Sequence, residues 1–265
     1  MHLFWIDAFT DQLFAGNPAG VVPLERWPQD DALLQRIAFE NGLAETAFFV
    51  RTGPERFHIR WLTPNAEVDL CGHATLASAF VIFEHLGQSG ARITLDSRSG
   101  PLVVSRLADG RLELDFPATP VAPVADDALR TRVAATIGQP VAALGRSKFD
   151  LVALLADANA VRAAQPDFPA IAALDARGLV ITAPGDRGAD FVSRFFAPRL
   201  AVPEDPVTGS AHCALTPFWA ERLGRTSLHA HQLSARGGQL ACTLAGDRVK
   251  LAGRAVLYLR GELAV

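Results

Sequence analysis

Apolar and polar positions change period many times along this chain. Residues 2–7 form a short apolar run that predicts a strand, and 21–23 predict another after the turn-like Asn17-Pro18-Ala19-Gly20. Over 30–40, Leu33, Leu34, Ile37 and Ala38 fall at helical spacing with acids at the N-terminal end, and Gly42 marks the stop. Stretches 46–50 and 57–62 predict consecutive strands joined by Thr52-Gly53-Pro54-Glu55. The segment 72–85 is apolar nearly throughout and rich in Ala, the pattern of a helix buried on every side. Residues 93–95, 102–107 and 111–116 predict a meander with Asp109-Gly110 as a hairpin turn.

The second half runs through the same order. A helix is predicted at 127–137, a strand at 149–155, a short helix at 159–164 and strands at 178–183 and 191–196. A second apolar helix follows at 208–223, then strands at 233–235, 239–244, 249–251 and 255–260. One buried helix wrapped by strands, twice over, is an α+β arrangement. The Pro-rich stretch 118–124 reads as a linker between a lobe at 1–117 and a lobe at 125–254, with 255–265 as a candidate to return to the first lobe.

A repeated phrase supports two related domains. Arg60-Trp-Leu-Thr-Pro64 and Arg194-Phe-Phe-Ala-Pro198 are offset by 194 − 60 = 134, and Phe57/Phe191 keeps that offset. A second echo, Arg98-Ser-Gly-Pro-Leu102 and Arg236-Gly-Gly-Gln-Leu240, is offset by 236 − 98 = 138. The period exceeds the roughly 20–50 residues of solenoid units. Seven residues beyond each Pro lie Cys71 and Asp205, so the expectation is one proton-active side chain at the equivalent point of each domain.

Composition narrows the function classes. A net charge of −3 without a Lys/Arg cluster argues against nucleic acid. No stretch reaches the roughly 18 apolar residues of a membrane span, and the first residues lack the basic and apolar regions of a signal peptide. With three cysteines, Cys71, Cys213 and Cys242, a reduced cytoplasmic setting is the expectation. His73 and His212 lack neighbouring ligands at metal spacing, so no metal is expected. No Gly-x-Gly-x-x-Gly or Gly-x4-Gly-Lys-Ser/Thr loop is present.

The candidate chemistry gathers where the two buried helices begin. Cys71 precedes Gly72, and Asp205 precedes Pro206, which suits a first helical position. Free N–H groups at a helix start, approachable over Gly72 and Gly209, can seat a substrate carboxylate, and Thr208 and Ser210 add hydroxyls. Asp205 reads equally as an N-cap. Cys71 at a helix start is a candidate thiolate base. Glu45 stands between apolar residues beside a predicted strand; burial would raise its pKa and let it take and return a proton, whereas on an edge it would only meet water. His73 is either a proton donor or a core histidine. Cys213 and Cys242 fall in apolar patterns and read as packing.

Several phrases together resemble the PhzF-like, phenazine-biosynthesis-like family of the diaminopimelate-epimerase-like superfamily. They are Asn17-Pro-Ala-Gly20-Val21, Leu43-Ala-Glu45-Thr-Ala47, Val68-Asp-Leu-Cys71-Gly-His73-Ala-Thr75, Leu114-Asp-Phe-Pro117 and Glu204-Asp205-Pro-Val-Thr-Gly-Ser210-Ala211, with Arg194-Phe-Phe-Ala-Pro198. The resemblance implies two pseudo-symmetric domains, each a curved, mostly antiparallel sheet around a central helix, with the active site between them. It implies a cofactor-free isomerase of biosynthetic type acting on a small carboxylate, and a homodimer as the assembly. Glu45, His73 and Asp205 take the catalytic places. Asn17, Cys71, Gly72, Thr208, Gly209 and Ser210 take the substrate-binding places. The epimerase branch uses two opposed cysteines; with Asp205 read at the second position, only Cys71 has a counterpart. An epimerase using Glu45 and Cys71 and a non-catalytic binding protein are the alternatives.

Overall fold

Two helices without a polar face decide the architecture. Residues 73–79 are all buried, and so are most of the inward and lateral positions of 209–220. A helix with no face for solvent must be covered all round. Ala, Ser, Thr and Gly supply the small side chains that let strands approach it closely. In the computed structural model, which describes all 265 residues, strands provide that cover.

The chain runs β1 (His2–Ala8), β2 (Asn17–Leu24), α1 (Ala32–Asn41), β3 (Thr46–Gly53), β4 (Arg56–Leu62), β5 (Glu67–Val68), α2 (Gly72–Phe80), β6 (Arg92–Ser97), β7 (Gly100–Arg106) and β8 (Leu112–Pro117). A π-helical turn, Val81–His85, prolongs α2. It continues with β9 (Ala122–Pro123), α3 (Asp127–Ile137), β10 (Ala143–Arg146), β11 (Leu151–Leu154), α4 (Ala158–Ala163), α5 (Phe168–Ala172), β12 (Leu179–Pro184), β13 (Phe191–Ala197) and β14 (Val202–Asp205). The last elements are α6 (Gly209–Leu223), β15 (Ser227–Gln232), β16 (Gly238–Ala245), β17 (Arg248–Gly253) and β18 (Ala255–Glu262). They form two compact units, Met1–Asp115 with Ala252–Val265, and Phe116–Leu251. No helix is long and apolar enough to cross a membrane.

The two units share one wiring plan. In the first, β1 pairs antiparallel with β2, β2 parallel with β3, and β3 antiparallel with β4. Strand β4 then takes β5 antiparallel and β6 parallel, and β6 takes β7 antiparallel. In the second, β10, β11, β12, β13, β14, β15 and β16 repeat each of these relations in the same order. Strand β18 flanks β1 as β9 flanks β10. Outside the central helices, α1 packs Leu34, Ile37 and Ala38 onto Val22, Phe48 and Leu62. In the second unit Val133, Ile137, Val161 and Ile171 pack onto Leu151, Ile181 and Phe196.

Three local expectations are corrected. Asn17–Gly20 is not a turn but the start of β2. Strand β3 reaches only as far as Gly20, so Pro18 lacks an N–H where that neighbour asks for none. The stretch 233–235 is a bend, and the strand before it is β15. Its inward side is Leu228, Ala230 and Gln232, while Ser227, His229 and His231 made the run look polar. Asp205 is not a helix cap: it ends β14, and α6 begins at Gly209 with Thr208 as N-cap.

The repeated Arg has a structural task. Arg60 binds Glu67 through Nε and Nη2 at 3.0 and 2.8 Å, and Arg194 binds Glu204 the same way at 2.7 and 2.9 Å. Each fork ties a strand to the short return strand that leads into the buried helix. The interval grows from 67 − 60 = 7 to 204 − 194 = 10, because the second unit inserts a 3-10 turn, Pro198–Leu200. The offset after that turn is therefore 204 − 67 = 137. Val68 opposite Trp61 matches Asp205 opposite Phe195, and the N-cap Cys71 matches the N-cap Thr208. The expected equivalence of Cys71 with Asp205 is thus replaced by Cys71 with Thr208. Removing one partner of a mostly buried charge pair is strongly destabilising. Arg194→Met should lower stability by about 3 kcal/mol in urea unfolding, with part of it regained when Glu204→Gln is added, since the Val161 and Ala164 carbonyls that Arg194 also bonds still lose their donor.

Candidate active site

The start of α2 brings three sequence candidates together. Cys71 caps the helix in extended conformation, and its thiol makes no capping bond. Its carbonyl instead accepts the Thr75 hydroxyl at 2.5 Å. His73, the second helical residue, turns its Nδ1 to Cys71 Sγ at 3.5 Å and its Nε2 to Glu45 Oε2 at 3.2 Å. Glu45 lies just before β3, where its carbonyl accepts the Gly20 N–H at 3.1 Å and fixes the backbone. Its side chain keeps 18% exposure, against 7% for His73. Burial pushes the His73 imidazole down to about 4, so the ring is neutral at pH 7. Its Nε2 is buried and makes no aligned hydrogen bond despite the short approach to the carboxylate. A nitrogen facing carboxylate lone pairs is the one that carries the ring proton, which leaves Nδ1 to accept from the thiol.

The start of α6 is built differently. Thr208 donates its hydroxyl to Asp205 Oδ2 at 2.6 Å. Gln232, buried on β15, clamps the turn: its Oε1 accepts from Thr208 N at 2.9 Å and its Nε2 donates to Asp205 O at 2.6 Å. Gly209 and Ser210 are the first helical residues, so their N–H groups have no partner within the helix. The Ser210 hydroxyl accepts from Arg177 at 2.9 Å. His212 occupies the place of Thr75, with its Nδ1 at 2.8 Å from the Thr208 carbonyl. Gln232 and Arg177 were not singled out from the sequence. Gln232 closes a run that otherwise reads polar, and Arg177 stands in a loop with no motif around it.

Asn17, the other candidate, is fully buried at the first position of β2, opposite Ala8. Cys213 and Cys242 are buried, and burial raises both thiols to about 12, which makes them packing residues. The expectation that His73 lacks neighbouring ligand types does not hold in space: donor atoms of Glu45, Cys71 and His73 lie within 4.8 Å of one another. The thiol and the carboxylate, however, face different ring nitrogens. An ion held through one nitrogen would need the far partner to swing across. As arranged, the three groups suit passing a proton along the ring better than gripping an ion.

Comparison with known proteins gives the family of the chain. A family profile described as phenazine biosynthesis-like protein matches residues 6–261. The chain is 51% identical over 258 residues to an uncharacterized isomerase of Pseudomonas aeruginosa, covering 97% of this chain and 96% of that one. It is 40% identical over 287 residues to phenazine biosynthesis-like domain-containing protein 2 of Mus musculus, with 99% of each chain covered. A crystal structure of a PhzF-family phenazine biosynthesis protein from Enterococcus faecalis superposes with a TM-score of 0.95 at 42% identity, covering 100% of this chain and 99% of that one.

Burial also holds His212 down at about 4, with no carboxylate at its ring. Between pH 6.5 and 4 the unfolded chain therefore binds a proton that the folded chain refuses. The stability His212 contributes is complete above pH 6.5 and is lost as pH falls towards 4. His73, lowered in the same way, adds a like share, so the unfolding free energy from urea titrations should fall by roughly 2 kcal/mol for each of the two histidines between pH 7 and pH 5, and His212→Leu should remove about half of that dependence.

Proposed function

This chain belongs to the phenazine biosynthesis-like protein family and is an isomerase, and we propose that it shifts a proton on a small carboxylate-bearing metabolite without a cofactor, with Glu45 as acid and base. The observation that carries the proposal is the approach of the buried His73 Nε2 to the Glu45 carboxylate at 3.2 Å. Glu45 removes a proton from carbon, keeps it while negative charge spreads through the substrate, and returns it to another carbon. A neutral imidazole beside it can hold the carboxylate in place and donate a hydrogen bond without a fixed positive charge that would trap the proton-free form. General acid–base catalysis of this kind contributes roughly 10²–10⁴-fold.

The remaining roles follow from what each group can do. The first N–H groups of α2, at Gly72, and of α6, at Gly209 and Ser210, offer the donors and partial positive charge that bind a carboxylate. Asp205 is the further acid/base group that the family resemblance assigns, and Thr208 holds its carboxylate in one orientation. Asn17 is a substrate-binding residue by the same resemblance.

One observation favours a second reading. Cys71 Sγ lies 3.5 Å from His73 Nδ1, so a second proton-active group stands beside the Glu45–His73 pair, and an epimerase would use Glu45 and Cys71 on opposite faces of the substrate carbon. Variants separate the two. In deuterium oxide with candidate amino and dienoic acids, the wild type should incorporate label, read by mass spectrometry. Glu45→Gln should lower incorporation by roughly 10³-fold, while Cys71→Ser leaves it nearly unchanged. A crippled Cys71→Ser would select the epimerase, and full activity in Glu45→Gln would remove Glu45 from the mechanism. Binding with no label from any candidate would favour a non-catalytic protein.

A further inference from the structure

Arg177 occupies a position that neither the motifs nor the proton chemistry uses. Its Nε and Nη2 fork onto Asp150 at 2.9 and 2.6 Å, and Asp150 is 2% exposed. The same Nη2 donates to the Ser210 hydroxyl at 2.9 Å. The guanidinium also lies 4.9 Å from the Phe149 ring centre and 5.6 Å from that of Phe195, and Arg177 N donates to the Phe149 carbonyl. Fork, rings and backbone leave the side chain a single conformation.

The shared wiring makes its place meaningful. Glu45 O accepts from Gly20 N where β2 and β3 begin their parallel pairing, and Gly178 O accepts from Leu151 N at the same point of β11 and β12. Gly178 is thus the backbone counterpart of Glu45. It can carry no side chain, because a Cβ there would stand 2.6 Å from the Phe195 ring. Arg177, one residue earlier, reaches the second residue of α6, as Glu45 reaches the second residue of α2. One location in the fold holds an acid/base pair in the first unit and a cation with a hydroxyl in the second.

We propose that Arg177 is a positioning residue for the substrate carboxylate, acting through Ser210 at the start of α6. The proposal rests on the reading above that this helix start receives a carboxylate. A guanidinium only donates, so Ser210 Oγ must accept from it. The single hydroxyl proton then points away from Arg177 and is free for an anion beside the Gly209 and Ser210 N–H groups. The charge of Arg177 adds to the positive end of α6. Asp150 keeps that charge fixed in place.

Benzoate, with benzamide as its uncharged counterpart, tests this by NMR titration of the Gly209 and Ser210 amide signals. Wild type should show saturable shifts with benzoate and none with benzamide. Arg177→Met should weaken benzoate about tenfold, and Ser210→Ala by a similar factor. In the Ser210→Ala background, Arg177→Met should add little, because the two act as one unit. Arg177→Lys, which keeps the charge and loses the fork, should recover part of the affinity. If Arg177→Met disturbs folding by leaving Asp150 buried without its partner, Arg177→Met/Asp150→Asn serves in its place, with melting curves as the control. Unchanged benzoate affinity and shifts in these variants would overturn the proposal, as would independent, additive losses from Arg177 and Ser210. Absence of any shift in the wild type would overturn both the carboxylate seat and the role of Arg177. The isomerase reading stands or falls separately on deuterium incorporation.

Discussion

A neutral, buried imidazole between a thiol and a carboxylate sets the terms for the first unit. His73 belongs to a helix that strands cover on every side, so its ring has no room to leave and little water to charge it. Glu45 belongs to the loop before β3, whose backbone is fixed by its bond to Gly20. Their 3.2 Å contact links the start of the buried helix to the edge of the sheet. Burying a polar nitrogen without an aligned partner costs about 1–3 kcal/mol.

The position of that helix start is set from outside by the Arg–Glu forks. Arg60 with Glu67 and Arg194 with Glu204 close the return from a central strand to the buried helix in each unit. The same brace then serves different ends. In the first unit it delivers His73 to Glu45; in the second it delivers Ser210 to Arg177 and Thr208 to Asp205. On our reading, the duplicated scaffold holds the Glu45–His73 proton-transfer pair in one unit and the Arg177–Ser210 anion seat in the other. The residues beside the brace differ between the units, while the Arg–Glu fork is common to both.

Much of this is legible in the amino-acid sequence. The largely apolar stretches 72–85 and 208–223 announced central helices, since neither offered a broad solvent face. The two Arg phrases announced a repeat, although their task is to brace the fold rather than to act on a substrate. The meaning of the repeat beyond Pro64 and Pro198 was not legible. A three-residue insertion shifts the register, and counting along the chain matched Cys71 to Asp205 where the hydrogen-bonding pattern matches it to Thr208. Strand β15 was missed because His229 and His231 dilute its alternation. Gln232, Arg177 and Asp150 were missed because each meets its partner only through tertiary contact, at separations along the chain that carry no motif.

The protonation of His73 is the most direct test of the account. Histidine-labelled protein observed by ¹⁵N NMR across pH 4 to 8 reports the charge and tautomer of that ring, assigned through His73→Gln. The account predicts a neutral ring at pH 7 with its proton on Nε2, toward Glu45, and titration only near pH 4. A ring that titrates near the ordinary 6.5, or carries its proton on Nδ1 toward Cys71, would contradict it.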